Sequence, residues 1–110
     1  MKKSVAFIVC ALLVASTYAV TVRGVRSCGK WIAAHPIPPS VSADSLAQES
    51  WLVGYLSGVS VESNVDVLKN VDNESIFLWM NNYCQQNPLM DIGDGGYTLF
   101  LELKRKVDRK

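Results

Sequence analysis

The sequence predicts a mainly α, small disulfide-linked helical domain of three to five helices, following a cleaved signal peptide. Three observations predict it. An apolar amino-terminal run ends in small residues, two cysteines survive its removal, and apolar residues beyond it recur at helical spacing. With 110 residues, 11 basic and 10 acidic side chains, the chain has room for one domain. That length excludes multi-domain enzymes, dinucleotide-binding α/β domains and repeat solenoids. The near-zero net charge argues against a nucleic-acid binder, which carries a basic face and a high pI.

Lys2 and Lys3 give a positive start, Phe7 to Val14 is unbroken apolar sequence, and Thr17 and Ala19 stand at the −3 and −1 positions of a cleavage site. This is the charged region, apolar region and small-residue exit of a secretory leader. A membrane anchor from Val5 to Val22 is the alternative, but Ser16 and Thr17 interrupt it and it falls short of the ~20 apolar residues a span needs. Cys10 does not form a lipobox, because Val9 precedes it where Gly, Ala or Ser belongs. The Met-Lys-Lys start and short apolar region predict a bacterial leader and a periplasmic location. Residues 1–19 are then the signal peptide and 20–110 the domain.

Removal of Lys2 and Lys3 leaves nine basic and ten acidic side chains. Five of the nine lie in 104–110 (KRKVDRK), so an acidic body carries a short basic tail. Cations at a helix end suit its dipole; a polybasic contact with anionic lipid is the other reading and is not expected here. Cys28 and Cys84 remain. In an oxidising compartment two cysteines left in a small domain pair with each other. A loop of that length is stabilised by about 4 kcal/mol in the chain-entropy model.

Cys28 to Ala34 predicts a short helix or helical turn, stopped by Pro36, Pro38 and Pro39. The next start signal is Ser45 with Gln48 three residues on, a capping-box spacing, with Ser42 or Asp44 as alternative caps. Trp51, Leu52, Tyr55, Leu56 and Val59 then draw one helical stripe. Gly54 and Gly58 stand one turn apart, cost helix propensity, and predict a close crossing by another backbone. Residues 60–72 are polar, with Val65, Val67 and Leu68 as anchors for a short helix. Asp72 or Asn73 caps a helix to about Gln86, in which Ile76, Trp79, Met80, Tyr83 and Cys84 share a stripe. Asn87-Pro88 ends it. Asp91 to Gly96 reads as a turn-rich loop. Tyr97 to Val107 reads as a final helix with Leu99, Phe100, Leu103 and Val107 on its apolar face; a strand over Tyr97–Leu103 is the alternative.

Catalytic motifs do not assemble, and no catalytic residue, cofactor or metal site is expected. Ser27 and Lys30 match S-x-x-K, but no K-T-G follows. In the segment Gly54–Gly58 the serine is one place late for G-x-S-x-G. His35, before a proline, reads as solvated. Asp91 to Glu102 has the length of a calcium loop, yet Gly93 and Gly95 occupy ligand places. Asn73-Glu74-Ser75 is a glycosylation sequon only in a eukaryotic secretory route. Aromatic residues on helical stripes are mostly core; where Trp51, Tyr55 or Trp79 reaches the surface it is a candidate binding residue.

The stretches Trp51–Val59 and Ser75–Leu89, followed by an apolar final helix, resemble small secreted proteins of Gram-negative bacteria. They are similar to the Tai/Rap immunity proteins that guard against type VI secretion amidase effectors, and to HdeA-type periplasmic helical proteins. The shared features are the Gly54/Gly58 helix, a later helix ending in Asn87-Pro88, and a structural disulfide. The cysteines stand elsewhere than in those families, so pairing and partner are not carried across. The first resemblance implies binding of a cell-wall-targeting toxin enzyme; the second implies an acid-stress chaperone. The resulting expectation is a non-catalytic protein-binding domain, immunity- or inhibitor-like. An HdeA-type chaperone and an accessory protein of a secretion or conjugation system are the alternatives. The Gly54/Gly58 face offers a route to a homodimer.

Overall fold

A computed structural model describes residues 20–110. The signal peptide and its cleavage site lie outside the described residues. Four helices, α1 (Cys28–Ala34), α2 (Ala43–Ser63), α3 (Asn73–Gln86) and α4 (Ile92–Asp108), make up the domain. Among the described residues there is no strand beyond a single antiparallel bridge between Ser27 and Asp91. None of these helices is long and apolar enough to cross a membrane.

Each helix starts on a side-chain oxygen that takes up an otherwise unpaired N–H. Ser27, Ser42, Asp72 and Asp91 accept from the N–H groups of Lys30, Ser45, Ser75 and Asp94. At α2 the pairing is reciprocal, since the Ser45 hydroxyl also receives the Ser42 N–H at 3.0 Å. The capping box therefore begins at Ser42, not Ser45, which is itself buried at the third helical position. Pro36 follows the end of α1, and Asn87-Pro88 the end of α3. Asn64, in the left-handed conformation with φ 54°, ends α2.

Two expectations about loops are corrected. Residues 60–72 hold no separate helix: α2 continues to Ser63, and left-handed Asn64 and Asn70 bound a set of turns. Its anchors do go inward, with Val67 buried and Val65 and Leu68 packed against the core. The stretch Asp91 to Gly96 is not a loop but the cap and first turns of α4. The strand alternative for Tyr97–Leu103 is thereby excluded.

The core joins Cys28 and Trp31 of α1, Leu52 and Leu56 of α2, Ile76, Met80 and Cys84 of α3, and Ile92, Leu99, Phe100 and Leu103 of α4. Val107, expected on the apolar face of α4, is 40% exposed in the last turns of that helix. Cys28 and Cys84 form the predicted disulfide, with Cα atoms 4.8 Å apart, and tie the start of α1 to the end of α3. Helix α4 packs on α2 and α3; α1 packs on α3 and more lightly on α2.

The close backbone crossing expected at Gly54 and Gly58 is elsewhere. A Cβ added at either would meet nothing within 4 Å. The buried stripe of α2 runs through Leu52 and Leu56, and both glycines face outward from it. The crossing falls at Gly95 and Gly96 of α4. A Cβ there would stand 2.7 Å from Met80 Sδ and 2.9 Å from Tyr55 Cδ1, respectively. Those neighbours lie on α3 and α2, so the paired glycines let α4 settle between the two helices.

Candidate functional site

Two tryptophan–tyrosine pairs, each spaced four residues on its helix, flank the paired glycines of α4. Trp51 stacks on Tyr55 with ring centroids 5.3 Å apart, and Trp79 on Tyr83 at 5.4 Å. Residues four apart on a helix are neighbours, so this stacking follows from the sequence spacing. Tyr55 lies over Gly96 and Tyr83 over Gly95.

The three candidate binding residues are thus not gathered into one patch. Trp51 and Tyr55 adjoin on α2; Trp79 belongs to the other pair, on α3. All are half-buried, and both indoles have internal partners. Trp51 Nε1 donates to the Arg23 carbonyl at 2.8 Å, and Gly24, at φ +79°, lets the chain pass directly beneath that ring. A side chain at Gly24 would be strained and would press on the indole. Trp79 Nε1 donates to Glu102 Oε2 at 3.0 Å.

Two shallow clefts border these pairs. One lies between the amino-terminal segment and α4 and is lined by Val22, Val25, Tyr55, Asp94 and Tyr97. Burial pushes the Tyr55 phenol up from its ordinary pKa, and the nearby Tyr97 and Asp94 charges push the same way. Burial also raises Tyr83, opposed by its hydrogen bond with Thr98. The other cleft, of about 240 Å³, lies between α3 and α4 over Ile76, Trp79, Leu99 and Leu103. Glu102 and Lys106, paired at 3.5 Å, stand on its rim. The floor of this cleft is apolar and its rim charged, and the Ser75 hydroxyl, which donates to Asp72 Oδ2 at 2.9 Å at the cap of α3, also lines it.

The sequence motifs resolve into structural roles. The Ser27 hydroxyl of S-x-x-K accepts the Lys30 N–H at 3.2 Å as a helix cap. The Ser57 hydroxyl donates to the Val53 carbonyl at 2.7 Å. Among the described residues no three of His, Cys, Asp and Glu stand close enough to share a metal ion.

His35 is not solvated as expected. Its ring stacks on Trp31 with centroids 4.0 Å apart, and its side chain is 11% exposed. Nδ1 lies 2.7 Å from the Trp31 carbonyl oxygen, and Nε2 lies 3.0 Å from Glu49 Oε1. A neutral imidazole has one N–H. Two oxygens face the two ring nitrogens, so a neutral ring donates to one of them only. The adjoining amide of Gln48 donates to Asp44 Oδ2 at 3.0 Å.

The most exposed large apolar side chains stand at loops. Ile37 is 90% exposed and Val41 83%, both in the proline-rich segment after His35; Leu89 is 97% exposed in the turn between α3 and α4. Leu89 follows Asn87-Pro88, a pair that sequence reasoning read only as a helix stop. An apolar residue placed directly after a proline turn was the signal available. Compared with protein-family models, with curated proteins and with solved structures, the chain finds no match.

Proposed function

We propose that the chain is an exported, periplasmic domain that binds another protein and performs no chemistry itself. It acts in the manner of an immunity or inhibitor protein, and the class of partner is a secreted enzyme that attacks the cell wall. The observation that carries this reading is the placement of Ile37, Val41 and Leu89 in solvent on well-anchored loops. Water-exposed apolar side chains are common singly, but ordering them in advance lowers the entropy cost of association. The residues beside Ile37 and Val41 are tied by the His35–Glu49 pair on one side and the Ser42–Ser45 capping box on the other. The Cys28–Cys84 disulfide fits an oxidising compartment.

The test is calorimetric titration of the purified domain against wall-cleaving amidases, with wall digestion measured alongside. One-to-one binding at neutral pH, with loss of digestion, is the expected result. Binding only to unfolded clients, and only near pH 2–3, would replace this reading with an acid-stress chaperone of the HdeA type. Co-purification with a secretion or conjugation assembly, without any effect on an enzyme, would replace it with an accessory role.

A further inference from the structure

We draw no further inference here: the strongest candidate, the cleft between the amino-terminal segment and α4 lined by Val22, Tyr55, Asp91, Asp94 and Tyr97, rests on two carboxylates at the start of a helix, and nothing in the structure shows what covers it.

Discussion

His35 is held between two oxygen atoms, although a neutral imidazole has one proton to give. A double-mutant cycle of His35→Ala and Glu49→Ala, read by urea unfolding, should show a coupling of about 1 kcal/mol. Absence of coupling would show that the pair contributes nothing to the fold. Asp72 adds a dependence on pH. The Ser75 N–H and then the Ser75 hydroxyl hold its carboxyl below the usual carboxylate range. Its cap stabilises the folded state above the ordinary carboxylate pKa and is lost as pH falls through the lowered value. Asp72→Ala should therefore lower the melting temperature at about pH 7, and by progressively less as the buffer is acidified below the ordinary carboxylate range, followed by circular dichroism. Asp72 was legible in the sequence because a cap acts on its own next three residues. The His35–Glu49 pair was not, because its members are 14 residues apart and meet only through the packing of α1 on α2.

Among the helices, the two glycine pairs separate what periodicity can and cannot reveal. The stripes of α2 and α3 were readable, since apolar spacing reports directly which side meets the core. The position of a close crossing depends on how two helices meet, which no single helix's spacing contains. Gly54 and Gly58 look outward into open space, so Gly54→Ala and Gly58→Ala should each stabilise the domain by up to about 1 kcal/mol. Gly95→Ala and Gly96→Ala should destabilise it by about 1–3 kcal/mol through overpacking. Urea unfolding of the four variants checks both signs, and a gain at Gly95 would refute the crossing. The same pair explains why Asp91–Gly96 was expected to be a loop. Three glycines within four residues (93, 95 and 96) argue against a helix locally, and the penalty is offset only by contacts with Tyr55, Met80 and Tyr83. The candidate binding residues divide in the same way. The i, i+4 stacking of each Trp–Tyr pair was implicit in the spacing, whereas the separation of Trp79 from Trp51 required the helix arrangement.

For the molecule as a whole, stability leans on one covalent link and one late helix. Cys28 is 0% and Cys84 1% exposed. Both should resist alkylation in the native protein and react after denaturation with reductant. Opening the bond should cost roughly 3–4 kcal/mol, on the chain-entropy account of a loop of this size, read as a lower urea midpoint with reductant present. An unchanged midpoint would show that the helices hold without it. The bond also leaves the last helix outside the ring it closes: Ile92, Leu99, Phe100 and Leu103 all follow Cys84 in the chain. A nonsense mutation just before Asp91 would therefore spare the covalent link and strip one wall from the core, leaving Leu52, Leu56 and Met80 uncovered inside an intact loop.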